Sequence, residues 1–144
     1  MIKGSWDQGY VLDVHTISST MIGCNEFGHP EAIVPMPPSK LQRSFQPVIE
    51  IAGELAQALK LPLNMQSLKK TKTTQQMKDV GDFSARVGAL EAAFACDQQL
   101  QGKAVLLFDD LFQSGATMNV VAGTLKKQGL VKAVYALALT RTRN

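Results

Sequence analysis

The sequence predicts an α/β fold, with a central, mostly parallel sheet flanked by helices. Three observations carry that prediction. Short apolar runs rich in Val, Ile and Leu alternate along the chain with segments of 3- and 4-residue apolar spacing. The runs are stopped by Pro or by paired acids, and the spaced segments open on Pro or close on Gly. Finally, 144 residues, 45% apolar and 19% charged, make one folded domain able to bury roughly two-thirds of its unfolded surface.

Residues 1–30 read as an irregular N-terminal segment and 31–144 as the core of a single domain. The first contains five glycines or prolines and one alternating run, Tyr10-Val11-Leu12-Asp13-Val14, read as a strand. Ala32 to Met36 is a β-branched run stopped by Pro37-Pro38, so a buried strand is expected. A helix should start at Pro47, where a missing N–H costs little. Val48, Ile51, Ala52, Leu55 and Leu59 then share one face. Leu61 to Met65 is expected as a second strand. Residues 66–82, QSLKKTKTTQQMKDVGD, lack an apolar period and read as a long mobile loop. Phe83 to Phe94 is expected as a helix with Val87, Leu90 and Phe94 on one side. Lys103 to Phe108 reads as a buried strand, Thr117 to Gln128 as a helix ended by Gly129, and Lys132 to Leu139 as the last strand.

Charge and cysteine content exclude several classes. A formal charge of +3 is too mild to indicate nucleic acid by itself. Positive charge does cluster at Lys69, Lys70, Lys72 and Lys78, and again at Arg141 and Arg143, which suits a phosphate-rich small ligand as well as a polynucleotide, or simply a solvated basic face. Cys24 and Cys96 are far apart, which excludes a zinc ribbon built by this chain alone and provides no disulfide framework. No apolar run approaches a membrane span, and Met1 to Tyr10 has no apolar signal core, so the cytoplasm is the expected compartment. His15 and His29 have no second ligand at metal spacing. Trp6 reads as packing.

The densest chemistry lies in Val105 to Thr117, VLLFDDLFQSGAT. A buried strand ends in two adjacent carboxylates, Asp109 and Asp110, and in open parallel sheets ligands bind at the carboxyl ends of strands. Ser114-Gly115-Ala116-Thr117 then opens a helix. Gly115 permits a tight turn, and the helix start offers N–H and hydroxyl donors to a phosphate. Carboxylates for sugar hydroxyls beside a monophosphate cradle suit ribose 5-phosphate. A Ser or Thr helix cap is the purely structural alternative. No Gly-Lys-Ser/Thr of an NTP loop occurs, nor a G-x-G-x-x-G dinucleotide fingerprint.

This segment resembles the phosphoribosyl diphosphate (PRPP) signature of type I phosphoribosyltransferases, with Gln113 where the signature usually has Thr or Ser. Ile33 to Lys40 resembles the pyrophosphate loop of that fold, and Lys69 to Lys78 its flexible catalytic loop. Together the three segments, spanning residues 33–142, are similar to the ComF-type (competence protein F) family. Many such proteins begin with a four-cysteine zinc module, which this sequence lacks, and carry a helical stretch before the first core strand. Here Gly28-His29-Pro30 runs almost directly into Ile33, which would leave one sheet face thinly covered; a further disordered segment between Pro30 and Glu31 or a partner subunit, as in a homodimer, would be the remedy.

The resemblance implies a type I phosphoribosyltransferase-like fold whose residues 1–30 act as a small hood that selects a base. It implies that Asp109 and Asp110 hold the ribose hydroxyls, directly or around Mg²⁺. Gln113, Ser114, Gly115, Ala116 and Thr117 would hold the 5′-phosphate. Pro37, Pro38, Ser39, Lys40 and Arg43 would face the pyrophosphate, joined by Lys70 and Lys72 on loop closure. Two functions stay open: transfer of a phosphoribosyl group to a nitrogenous acceptor, or a silent PRPP- or nucleotide-sensing protein serving DNA uptake. Single-stranded DNA is the less supported partner, because residues 66–82 contain no aromatic side chain.

Overall fold

The computed structural model describes residues 29–38, 44–71, 82–112 and 115–141. The expected strand at Tyr10 to Val14 lies outside these. The elements are β1 (Ala32–Pro35), α1 (Pro47–Leu59), β2 (Leu68–Lys70), α2 (Phe83–Glu91), β3 (Phe94–Cys96), β4 (Ala104–Phe112), α3 (Ala116–Lys127) and β5 (Ala133–Arg141). The fold is α/β. β1, β4 and β5 form a parallel sheet in that order, and β2 and β3 form a separate antiparallel pair.

Period-two alternation sorts the sheet's side chains between two helical layers. Ile33, Leu106, Phe108 and Leu137 point to α1 and pack on Ala52, Leu55 and Ala56. Val34, Val105, Leu107, Ala136 and Ala138 point the other way, onto Met118, Val121 and Leu125 of α3 and onto Leu68 and Phe94 of the small sheet. Ile33, Val105, Leu106, Leu107 and Phe108 are fully excluded from solvent. With helices on both faces, the run VLLF reads as continuous apolarity rather than alternation. The α1 layer is thinnest over β5, where Tyr135 and Leu139 are only partly buried.

α1 begins at Pro47 as expected. Its last turn closes on Lys60 in the left-handed region (φ 55°), whose N–H donates to the carbonyls of Ala56 and Gln57. α3 starts just past Gly115, which also sits left-handed at φ 76°. Helix and strand bounds elsewhere differ from expectation by a few residues, with four larger corrections. Leu61 to Met65 makes only a single parallel bridge, Leu63 to Ile33, held by Ile33 N–H to the Pro62 carbonyl and Asn64 N–H to the Ile33 carbonyl. Residues 68–70, expected in a loop, form β2. Phe94, expected to end a helix, instead starts β3 and pairs with Lys70. β4 runs four residues past Phe108, carrying the ladder through both acids to Phe112.

Gly129 ends α3 for a reason the sequence did not suggest. A Cβ there would meet the Leu125 carbonyl oxygen at 2.7 Å and Cys96 Sγ at 2.8 Å, so close approach excludes a side chain. The left-handed residue is the next one, Leu130, at φ 54°. Among the described residues no helix is long and apolar enough to cross a membrane.

Candidate functional site

Where β1 sits decides where a ligand can enter. Its Ile33 pairs with Leu63 on one edge and Leu106 on the other. The chain leaving β1 passes through α1 and returns on the Leu63 side. The chain leaving β4 passes through α3 and continues to β5 on the opposite side. The two connections therefore depart in opposite directions, and α1 and α3 lie on opposite faces. Such a switch point opens a crevice at the carboxyl ends of the two strands. Met36, Pro37 and Pro38 leave β1 there, and Asp109 and Asp110 lie near the same end of β4.

The acids are ordered by the ladder. Asp109 pairs with Ala138 and Leu111 with Thr140, so the register of the buried half persists. Strict alternation would send the two side chains to opposite faces, yet their carboxyls hydrogen-bond to each other. The Asp110 N–H donates to Asp109 Oδ1 at 2.8 Å. The Thr140 hydroxyl donates to the Asp110 carbonyl at 2.8 Å, tying the acid pair to β5. Burial is the main cause pushing the Asp109 carboxyl up to about 6. A hydrogen bond between the two carboxyls and the neighbouring charge of Asp110 add to it, while the Asp110 and Leu111 amides oppose it. Two carboxyls this close repel when both are charged, a cost that a bound cation would relieve.

Beyond the strand, Gly115 is buried and left-handed, and Ala116 and Thr117 are exposed in the first turn of α3. A positive φ favours glycine at this position. The first-turn amides of a helix have no carbonyl partner within the helix, and α3 has no acidic residue in that turn to compete with an anion. Pro37 and Pro38 are partly buried. Lys70 lies on β2 rather than a loop, with its ammonium 5.8 Å from the centre of the Phe94 ring. Burial lowers its pKa. Ser39, Lys40, Arg43, Lys72, Gln113 and Ser114 lie outside the described residues.

The structure thus places Asp109, Asp110, Gly115, Ala116 and Thr117 within one strand-to-helix connection, and Pro37 and Pro38 at the end of the adjoining strand. Thr140 was missed by sequence reasoning. Its only signal was a polar residue at the end of an apolar strand. Among the described residues no group of three or more His, Cys, Asp or Glu side chains could hold a metal. The acid pair still suits Mg²⁺, which commonly takes one or two carboxylates and fills its shell with water and ligand oxygens. In comparison with known proteins, no family model matches the chain and no curated protein matches it.

Proposed function

We propose that this chain binds PRPP with Mg²⁺ and transfers its phosphoribosyl group to a nitrogenous acceptor, releasing pyrophosphate. The observation that supports this best is the pair Asp109–Asp110 at the carboxyl end of β4, on a sheet switch point, followed by left-handed Gly115 opening α3. Few ligands call for adjacent hydroxyl-binding carboxylates and an anion-binding helix start on one short connection. Ribose 5-phosphate does.

In this reading the Asp109 and Asp110 carboxylates accept hydrogen bonds from the ribose hydroxyls and fix the ring. The start of α3, with Thr117, takes the 5′-phosphate. The Pro37-Pro38 turn holds the chain leaving β1 rigid beside the pyrophosphate. The bond from C1 to the pyrophosphate oxygen breaks as a ring nitrogen bonds to C1. Positive charge grows on the ribose, close to the two carboxylates that stabilise it. Asp109 and Asp110 would hold Mg²⁺, which when bound screens the leaving group's negative charge. Positioning and electrostatics then carry catalysis, with no covalent nucleophile from the protein.

Calorimetric titration of PRPP with Mg²⁺ tests the reading on wild type and on Asp109→Asn/Asp110→Asn. Binding by the wild type and its loss in the double variant are expected. No heat from the wild type overturns the proposal. Binding without pyrophosphate release across a panel of bases and amines would reassign the chain as a nucleotide-sensing protein.

A further inference from the structure

The far end of the sheet carries a feature that the PRPP reading leaves unused. The connection from α3 to β5 turns at Leu130, which is left-handed at φ 54° and 42% exposed. The left-handed backbone is unfavourable for a leucine, and glycine or asparagine would relieve it. Backbone outliers of this kind cluster where a surface does something. The turn is also held firmly. The Gly102 N–H donates to the Leu130 carbonyl at 2.9 Å and the Lys132 N–H to the Lys103 carbonyl at 2.8 Å. Gln128 Oε1 accepts the Cys96 N–H at 3.1 Å, and Gly129 fits closely against Cys96.

Four exposed lysines lie on the segments that meet at this turn. Lys126 and Lys127 form the last turn of α3, and Lys132 and Lys103 lie side by side through their backbones; all four are exposed. Two nearby carboxylates keep their charge, so the balance on these segments is four lysines to two acids. Asp97 accepts from the Gln99 backbone and side chain, and Glu31 accepts from the Ala104 N–H. The result is a rigid, basic knob with an apolar centre. It lies roughly 16 Å of strand away from the acid pair, five residues along β4.

We propose that this knob docks an acidic segment of another protein, one that seats an apolar side chain on Leu130 between carboxylates facing the lysines. Charge complementarity selects the partner. A second copy of the chain would bring the same positive charge to the contact and be repelled. A phosphate backbone has no use for the leucine, and one exposed aliphatic side chain is too little to anchor the knob in a bilayer.

Fluorescence anisotropy with a labelled peptide of alternating Glu and Leu tests this, with a Glu/Ser peptide of equal charge as control. The Glu/Leu peptide should bind roughly fivefold tighter than the control. Lys103→Gln/Lys132→Gln should weaken it roughly tenfold. Leu130→Gly should erase the preference for the Glu/Leu peptide while melting no lower than wild type. Equal affinity for the two peptides, or a preference that survives Leu130→Gly, overturns the proposal. So does tighter binding of an oligothymidylate or of phosphatidylserine vesicles than of the Glu/Leu peptide. None of these outcomes bears on PRPP binding at Asp109 and Asp110.

Discussion

The two halves of β4 share one ladder and differ in everything their side chains do. From Val105 to Phe108 each residue is fully buried, with alternate side chains committed to α1 and to α3. From Asp109 the strand keeps its register with β5 as far as Phe112 paired with Arg141, but the side chains turn acidic at Asp109 and Asp110, and Leu111 is exposed. The first half contributes stability. The second spends some of it, because a half-buried carboxyl whose pKa rises to about 6 is held where its charged form is disfavoured. A regular strand can therefore present a destabilising pair in a fixed geometry, provided the preceding turn of the ladder is well packed.

The contrast is broken most strongly from the buried half. Phe108→Ala leaves a cavity against α1 and should cost about 3–5 kcal/mol, read as a lower urea midpoint. At the hinge to α3, Gly115→Ala forces a side chain into the left-handed region and should cost about 1–2 kcal/mol. Its PRPP affinity should fall further than its stability does, which calorimetry beside the denaturation curve would show. In the acidic half the sign reverses. Asp109→Asn should stabilise the ligand-free protein by on the order of 1 kcal/mol at pH 8, a figure discounted for partial exposure. The direction follows from the raised pKa. The neutral carboxyl's advantage is fully present below its unfolded value of 3.8 and is lost as pH rises through about 6. The variant's gain should therefore vanish at pH 4 and below in parallel thermal melts. Thr140→Val removes the hydroxyl bond to the Asp110 carbonyl and should cost about 0.5–1.5 kcal/mol.

Much of this was legible because local and global signals agreed. Pro47 and the spacing Val48, Ile51, Ala52, Leu55 predicted α1 to the residue at its start. The apolar runs of β1, β4 and β5 were equally plain. β2 was not legible, because in Leu-Lys-Lys only Leu68 is buried and three residues cannot show a period. β3 was hidden for a related reason. Phe94 falls at helical spacing from Leu90, yet Thr71 and its pairing strand capture that segment, through the Thr71 N–H to the Ala93 carbonyl and the Thr71 hydroxyl to the Ala92 carbonyl. At the site, the acid pair and Gly115 were readable from residue type alone. The switch point was not, since it depends on which edge of β1 the Leu63 segment joins. Gly129 was read correctly as a stop, but the close approach of Cys96 that requires it belongs to tertiary structure.

The opposed departures from β1 and β4 have a consequence in polymer terms. Residues 37 and 110 are separated by most of the core in sequence, yet one lies just past the end of β1 and the other on the adjoining β4. Any molecule gripping both connections acts as a removable cross-link closing that long loop. Its grip would register as a higher melting temperature that climbs with the logarithm of its concentration, so a thermal shift could rank candidate ligands before any reaction is known.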